Sequence, residues 1–458
     1  MRVPTTAKHL ATALLAALAL LLVLNLSLGN KHIDRRLGSH YSVSDPQFVR
    51  TMGVLLGPPL LDGNHVSALV NGDRIFAEML AQIRAAKQSI TLETYIYWSG
   101  QIGRQFADAL AERAAAGVPV LVMLDWFGSH KLDQSAIEAM RRAGVEIRLY
   151  NPPRWDALDR LNSRTHRKLL VIDGRVGFTG GVGIADKWRG DALDPGHWRD
   201  THFRIEGPAV AQMQAAFLDN WTQVTGQVRH GSAYFPPLEP AGTQRAQLFT
   251  SSAGGGAESV QLMYLLSIAA ARESIALSMA YFIPDDVAVA AFVAARRRGV
   301  QVRILVPGPH IDFGIVRRAS RAEWGPLLRA GVEIHEYQPT MYHCKVLVVD
   351  GVWTSVGSTN FDNRSFSMND EANLNVHDAE FARAQQRIFE HDLTRARRVG
   401  LAQWEQRPWR SEERFSRNAE TVLVISYAVF CLKKCTRRAR SSGRARSEER
   451  RVGKECCQ

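Results

Sequence analysis

The chain has 458 residues, with 57 Lys and Arg against 45 Asp and Glu, a net charge of +12 and five cysteines. Residues 410–458 hold 13 Lys and Arg against 6 Asp and Glu, together with four of the cysteines, so that segment supplies +7 of the charge. The rest of the chain carries only +5 and Cys344, which excludes a fold held by disulfides and argues against a nucleic-acid-binding protein.

The first predicted element is an apolar segment near the start of the chain. Arg2 and Lys8 precede a largely apolar run from Leu10 to Leu24, which is near the length needed to cross a bilayer. A cleaved signal peptide opens in the same way, but Ser27-Leu28-Gly29 is a poor cleavage site. We therefore predict an uncleaved anchor within residues 1–30. Basic residues lie on both sides of it, so their count leaves its orientation open.

The middle of the chain contains an internal repeat. The segment Ile83–Leu92 matches Ile268–Leu277, and Arg142–Ile147 recurs without change as Arg329–Ile334. The period is far too long for a solenoid, so the repeat indicates a duplicated domain. We expect a pseudo-twofold relation between the copies and an active site where they meet.

Each copy alternates helices and strands. The stretch from Gln105 to Ala116 has helical spacing, whereas Val118–Leu124 and Val300–Val306 are typical of buried strands. This alternation predicts an α/β fold in which each copy is a mixed β-sheet flanked by helices. We place the two domains at residues 60–235 and 245–405. The cluster of Pro and Gly between His230 and Gln244 predicts the linker.

Each copy also carries the pattern H-x-K-x-x-x-x-D, followed seven residues later by a turn of small residues. The His and the Lys are two residues apart, which puts both side chains on one face of a strand. Two such units can build one site that has two His and two Lys. The candidate catalytic residues are His166, Lys168 and Asp173 in the first copy and His343, Lys345 and Asp350 in the second.

The C-terminal segment, residues 410–458, differs in character from the rest. Arg410–Arg414 recurs as Arg446–Arg450, and Arg446–Cys456 resembles the conceptual translation of a sequencing-library adapter. We predict a non-native tail that replaces the natural C-terminus soon after Trp409, and such segments are excluded from fold reasoning. The alternative is a natural basic tail that binds anionic lipid or nucleic acid.

The doubled motif resembles the signature of the phospholipase D superfamily. The segments Ser163–Lys168, Phe178–Gly181, Trp198–Thr201 and Gly357–Ser365 are similar to those of bacterial cardiolipin synthases, and the resemblance runs from about Leu60 to about Leu401. It implies two duplicated phospholipase D-like domains with the site between them. It also implies that the first-copy His is the nucleophile and that a later carboxylate holds each ring.

These residue types suit phosphodiester exchange. A neutral His can attack phosphorus and form a phosphohistidine, and a second, protonated His can donate to the leaving alkoxide. The two Lys supply positive charge for the phosphoryl oxygens, so we expect no metal and no other cofactor. We assign the nucleophile to His166 and the general acid to His343, although the pseudo-symmetry leaves the reverse open.

Four further residues complete the predicted site. Asn360 and Ser358 would add hydrogen bonds to the phosphoryl oxygens, and Gly183 stands where the first copy lacks such an Asn. We expect Asp200 to orient His166 and Glu371 to orient His343. The motif aspartates have an alternative role in the turns that follow them.

The function predicted is a cardiolipin synthase-like phosphatidyltransferase. It would move phosphatidyl from one phosphatidylglycerol to another and release glycerol. The alternatives are a phospholipase D that forms phosphatidic acid and a nuclease-type phosphodiesterase, which the modest charge disfavours. We expect anionic phospholipids and a membrane surface as partners, no nucleic acid, and location at the bacterial inner membrane through the single anchor.

Overall fold

A computed structural model describes residues 41–153, 163–252 and 258–407, with residues 33, 35, 37 and 38 ahead of them. The chain divides into two units, Met1–Asp34 and Arg35–Gln458, and all described residues except Ile33 belong to the second. The predicted anchor and the predicted tail lie outside the described residues. Within the part that is described, no helix has both the length and the apolar character that crossing a bilayer requires.

The first half of the described chain begins with a helix and then alternates strands and helices. Three of its strands follow one another through helical crossovers, as the spacing of its apolar residues predicts. Its elements are α1 (Pro46–Leu55), β1 (Leu61–Val70), α2 (Asn71–Ala85), β2 (Ile90–Thr94), α3 (Gln101–Ala115), β3 (Val120–Asp125), α4 (Gln134–Arg142), β4 (Glu146–Tyr150), β5 (Arg164–Thr165), β6 (Leu169–Ile172), β7 (Val176–Gly180), a 3-10 turn (Asp186–Trp188), β8 (Thr201–Glu206) and α5 (Ala209–Thr225).

The second half repeats this succession and adds short elements at its end. Its elements are β9 (Gln244–Ser251), α6 (Glu258–Ala270), β10 (Ser274–Met279), α7 (Asp286–Arg297), β11 (Gln301–Pro307), α8 (Gly314–Ala322), α9 (Trp324–Arg329), β12 (Glu333–Tyr337), β13 (Lys345–Val349), β14 (Trp353–Gly357), α10 (Asn363–Ser367), β15 (Asn369–His377), α11 (Ala379–Leu393), β16 (Ala396–Arg398) and α12 (Leu401–Glu405).

The strands form one mixed sheet whose two halves have the same order. The first half runs β1-β8-β7-β6-β2-β3-β4, and the second runs β9-β15-β14-β13-β10-β11-β12 before ending at β16. In each half the three strands joined by helices are parallel to one another, and the other strands in these two orders are antiparallel to their neighbours. The halves meet where β1 pairs with β9, through Leu61 opposite Ala246 and Asn64 opposite Gln244. Matching strand order is the structural counterpart of the sequence repeat.

One apolar core belongs to both halves. It packs α5 and α11 against the sheet, and it includes Val171 and Met213 from the first half together with Val348 and Phe389 from the second. A second core lies under α2 and α3 on the other side of the first half-sheet. The halves therefore share buried surface as well as a strand pair, which holds the motif strands β6 and β13 in a fixed relation.

The fold class predicted from the sequence is confirmed. The structure is a mixed α/β fold with two equivalent half-sheets, and the helix expected from Gln105 to Ala116 is α3. The strands expected at Val118–Leu124 and Val300–Val306 are β3, which is buried throughout, and β11, in which five of the seven residues are buried. The domain limits of 60–235 and 245–405 stay a prediction.

Candidate active site

The two motif histidines lie immediately before the motif strands of the two half-sheets. His166 follows β5 and Lys168 precedes β6, while His343 lies two residues before the start of β13 at Lys345. The alternation of an extended chain turns His and Lys to one face and the residue between them to the other. In the second copy that residue is Cys344, which is buried in the shared core, as its parity predicts.

His166, Lys168 and His343 line one cavity of about 270 Å³, which is close to the lower end of the usual range for small-molecule sites. Lys345 lies directly beside it, with its Nζ 3.4 Å from Nε2 of His343. The structure thus brings both copies of the motif to a single place, although their sequence separation is large. Aromatic side chains make up much of the wall. The lining residues outside the motifs include Tyr95, Trp98, Phe127, Lys131, Arg164, Trp188, Trp198, Tyr281, Asp312, Phe313, Asn360, Asp362, Arg364 and Asn369.

Each histidine ring is held by a carboxylate from the opposite half. His166 Nδ1 lies 2.9 and 3.0 Å from the two carboxylate oxygens of Glu371, and His343 Nδ1 lies 2.8 Å from Asp200 Oδ2. The predicted pairing of Asp200 with His166 and Glu371 with His343 was therefore wrong, although both carboxylates are in the site. The error assumed that each half completes its own motif, whereas the pseudo-twofold packing brings each ring to the partner half.

Backbone hydrogen bonds also join each histidine to the opposite half. The N–H of His166 donates to the carbonyl of Asp370 at 2.8 Å, and the N–H of His343 donates to the carbonyl of Arg199 at 2.8 Å. Strand β5 pairs in parallel with the start of β15, and a single bridge between Arg199 and Tyr342 occupies the equivalent place in the other half. Main chain and side chain together fix the orientation of each ring.

The carboxylates are fully buried and have further donors. Asp200 accepts from Trp188 Nε1 at 2.9 Å and from the backbone N–H of Thr201 at 2.8 Å. Burial works to raise the pKa of Asp200 and of Glu371, but the adjacent histidine and lysine and the hydrogen bonds that each carboxylate accepts together hold each pKa below its usual value. Both groups are therefore anionic at neutral pH, and each favours the tautomer with a proton on Nδ1. Nε2 is then the nitrogen that can react.

Both histidines are neutral in the site without substrate. Burial lowers the pKa of His166 to about 4, and burial together with Lys345 lowers that of His343 to about 3. Trp188 and Trp198 pack on His343 with ring centroids 5.4 Å away, whereas His166 has Tyr95 at 5.2 Å. A neutral imidazole has the lone pair that attack on phosphorus requires.

The two lysines are buried beside their histidines. Lys168 Nζ donates to the carbonyl of His166 and Lys345 Nζ to that of His343, both at 2.8 Å. Burial lowers the pKa of Lys168 to about 7 and also lowers the pKa of Lys345. A negatively charged ligand would favour the protonated form of both amines, so the site suits an anion.

The motif aspartates lie outside the cavity lining and have a structural role. Asp173 and Asp350 occupy hairpin turns with φ of 54° and 49°, each followed by a glycine that also has positive φ. The carboxylate of Asp173 accepts backbone N–H groups ahead of β2, including that of Gln88 at 2.7 Å. Asp350 does the same ahead of β10, including Glu273 at 2.8 Å. Their placement among the catalytic residues is thus corrected in favour of the turn role.

The two predicted hydrogen-bonding residues differ in position. Asn360 lines the cavity, and its buried Oδ1 has no hydrogen-bond partner within the part of the chain that the structure describes. Ser358 instead donates to Glu371 at 2.5 Å and accepts from the N–H of Ala372, so it supports the carboxylate and does not face the cavity. At Gly183 a Cβ would lie 2.8 Å from that of Ile96, which explains why the first copy has no side chain there.

Sequence reasoning missed most of the cavity wall. Tyr95 and Trp98 were not among the residues predicted for the site, yet both line the cavity. Lys131 Nζ lies 3.9 Å from the centroid of the Trp98 ring. The available signal was position, because these residues follow β2 and β3 at the carboxyl ends of parallel strands, where α/β sheets place their sites. No group of three or more His, Cys, Asp or Glu within the described ranges is arranged to hold a metal ion.

Comparison with known proteins supplies the family. A family profile described as "Cardiolipin synthase, PLD-like domain" matches residues 79–217 and 264–393. The chain is 37% identical to a cardiolipin synthase of Geobacillus kaustophilus over 77% of this chain and 70% of that protein. It is 34% identical to cardiolipin synthase A of Pseudomonas syringae pv. syringae over 77% and 73%.

Among solved structures, the fold matches a phosphatidylserine synthase of Haemophilus influenzae. The TM-score is 0.60 at 13% identity, and the match covers 84% of this chain and 98% of the other. This likeness concerns the fold alone. The doubled motif, the two profile matches and the curated relatives agree, and the chain belongs to the cardiolipin synthase family of phospholipase D-like phosphatidyltransferases.

Proposed function

We propose that the protein transfers a phosphatidyl group from one phosphatidylglycerol to a second one, giving cardiolipin and glycerol. The observation that carries the proposal is the convergence of two neutral histidines on one cavity, each with its motif lysine beside it and each ring held through Nδ1 by a buried carboxylate of the other half. The names of the curated relatives support the same reaction.

In the first step, Nε2 of His166 attacks the phosphorus of the donor lipid. A P–N bond forms, the P–O bond to glycerol breaks, and His343 supplies the proton that the glycerol oxygen takes up. His343 is neutral before substrate binds, but the phosphodiester brings a negative charge against the ring and favours its protonated form. Asp200 holds the resulting imidazolium by contact with Nδ1.

In the second step, His343 acts as the base. Its Nε2 takes the proton of a hydroxyl on the second phosphatidylglycerol, whose oxygen forms the new P–O bond while the P–N bond to His166 breaks. Lys168 and Lys345 stabilise the charge on the two non-bridging oxygens in both steps, because preformed positive charge in a dry site needs little reorganisation. His343 thus regains in the second step the proton that it gave up in the first, and the phosphatidyl group passes from the donor lipid to the acceptor through His166.

Partners and location follow from this reaction. The substrates are anionic lipids, so the cavity would be used at a membrane surface. We propose the bacterial inner membrane as the location, with the apolar segment at residues 1–30 as a single anchor, on the basis of its length and composition.

The test feeds the purified full chain phosphatidylglycerol that carries labelled glycerol in its headgroup, without added metal. Cardiolipin and free labelled glycerol in a 1:1 ratio are expected. Phosphatidic acid with equal glycerol release would identify a phospholipase D instead. Absence of lipid turnover with cleavage of DNA would make the protein a nuclease.

A further inference from the structure

The two ends of the cavity differ at positions that the repeat makes equivalent. Arg164 lies two residues before His166, and Met341 lies two residues before His343. Asn369 lies two residues before the carboxylate Glu371, and Trp198 lies two before Asp200. Arg164 and Asn369 therefore give one end of the cavity a polar pair, whereas at the other end Trp198 lines the wall and Met341 packs in an apolar core, although the catalytic residues of both ends are alike.

The polar pair is built into the sheet. Arg164 and Asn369 are directly opposite each other in the pairing of β5 with β15. Both are buried, at 3% and 6% exposure, and both line the cavity. Arg164, His166 and Lys168 alternate along one extended segment, so all three face the cavity while the residues between them point to the core.

The position of Arg164 is fixed from behind. Its guanidinium lies 3.6 Å from Asp125, whose fully buried carboxylate accepts backbone N–H groups of Phe127 and Gly128 at 2.9 Å and of Thr165 at 3.1 Å. Such an anchored guanidinium is suited to the planar recognition of a phosphate. A single reacting phosphodiester already has the two motif lysines beside it, so Arg164 adds positive charge that one monoanion does not require.

Asn369 supplies a complementary group. Its Nδ2 donates to Glu371 at 3.3 Å, and its buried Oδ1 has no hydrogen-bond partner among the described residues. An unpaired buried carbonyl oxygen is costly, and a ligand hydroxyl would satisfy it. The pair thus offers a cation for a phosphate and an acceptor for a hydroxyl, which are the two functional groups of a glycerophosphate headgroup.

We propose that Arg164 and Asn369 form the subsite for the acceptor phosphatidylglycerol, with Arg164 on its phosphate and Asn369 on a glycerol hydroxyl. This inference rests on the proposed function and specifies how the same cavity selects a lipid acceptor over water or free glycerol. Met341 and Trp198 cannot form such a subsite at the other end, so the pseudo-symmetric site has one direction for the acceptor.

The dimensions agree with this subsite. Three carbons separate the attacking hydroxyl from the acceptor's own phosphate, so the two phosphorus atoms in the product are at most about 7 Å apart, given bonds of about 1.5 Å. Arg164 and His166 are two residues apart on an extended chain, which separates them by about 6.6 Å, a distance similar to that between the two phosphorus atoms. Arg164 can hold the acceptor's phosphate while its hydroxyl oxygen forms the P–O bond, the P–N bond of the phosphohistidine breaks and the hydroxyl proton passes to Nε2 of the other histidine.

The experiment compares two acceptors that share the covalent step. Labelled free glycerol re-enters phosphatidylglycerol by exchange and has no phosphate, whereas cardiolipin formation needs an acceptor that has one. Arg164→Met is expected to lower the ratio of cardiolipin formation to glycerol exchange by roughly tenfold or more, the effect of losing a charged hydrogen bond. Asn369→Ala is expected to lower the same ratio less, and phosphatidic acid should increase in both.

Arg164→Lys keeps a cation beside Asp125 and guards against misfolding of the Met variant. It should give an intermediate ratio, because an ammonium cannot reproduce the planar fork. Met341→Leu is the matched control at the equivalent position and should leave the ratio unchanged. An equal fall in both reactions, or no change in either, would overturn the subsite. A wild-type protein that forms neither cardiolipin nor exchanged lipid would instead overturn the proposed function.

Discussion

Replacement of Glu371 by Gln tests whether a carboxylate of the second half orients the histidine of the first half. The carboxylate receives His166 Nδ1 at 2.9 and 3.0 Å and the Ser358 hydroxyl at 2.5 Å, and it is fully buried. Gln keeps the shape but has one acceptor oxygen and a donor N–H₂, which favours the His166 tautomer that has its proton on Nε2. In hydrolases with a serine–histidine–aspartate triad, the same kind of change lowers turnover by about 10⁴. We expect a fall of roughly 10³ to 10⁴ in the rate of glycerol release.

The assay is a rapid-quench single turnover that follows glycerol release and the phosphohistidine together. Glu390→Gln is the matched control, because Glu390 pairs with Arg303 at 2.6 Å near the surface and away from the cavity lining. A surface ion pair contributes at most about 1 kcal/mol, so this variant should turn over at the wild-type rate. A folded Glu371→Gln protein that keeps its rate within tenfold of wild type would refute the orienting role.

A double-mutant cycle on the free energy of unfolding separates the two possible ring partners. Glu371→Gln should couple to His166→Gln by at least about 1 kcal/mol, as residues in direct contact do. Its coupling to His343→Gln should be smaller. The reverse order would mean that each half holds its own histidine after all.

The remaining predictions concern the histidines, the lysines and pH. His166→Ala and His343→Ala should each abolish cardiolipin formation, and the double variant should be no worse, because nucleophile and acid act as a unit. Mass spectrometry should find the phosphatidyl adduct on His166. An adduct on His343 would reverse the two roles. Lys168→Met and Lys345→Met should lower kcat by roughly 10² to 10³ with the unfolding temperature retained, by loss of charge stabilisation, whereas a chelator should leave kcat unchanged. Burial lowers the pKa of His166 to about 4 and that of His343 to about 3, both below the ordinary 6.5, so the unfolded chain binds more protons between these values. The contribution of the two histidines to stability should therefore be complete above about pH 6.5 and fall as the pH drops towards 4 and 3. His166→Gln should flatten this part of the pH dependence of the unfolding temperature, and an unchanged slope would mean that the ring is not buried in its neutral form.

The sequence predicted most of the fold and the centre of the site because both depend on local patterns. Apolar runs of strand length located β3 and β11, and the two-residue spacing of His166 and Lys168 placed them on one face. The carboxylate partners could not be assigned in this way. Asp200 and Glu371 are each equally compatible with either histidine along the chain, and only the packing of the halves decides between them.

Other misses have similar physical causes. Asp173 is close to His166 in sequence, but a strand of four residues carries it to the far end of the half-sheet, where it binds backbone N–H groups. Ser358 lies close enough to His343 along the chain for the predicted hydrogen bond to a phosphoryl oxygen, but its side chain turns towards Glu371. Tyr95 and Trp98 have the composition of a buried strand, and only the position of their loop at the carboxyl ends of β2 and β3 brings them to the cavity.

The connection between α5 and β9 is not what holds the two halves of this enzyme together. Residues 226–243 form no regular element, and His230, Gly231 and Ser232 are exposed, as a protease would require. The shared core and the pairing of β1 with β9 do not depend on that peptide link. A nick there should leave two fragments that stay associated and active, whereas either fragment isolated after denaturation should be inert. Mixing the refolded fragments should restore activity, since each brings the carboxylate that the other one's histidine needs.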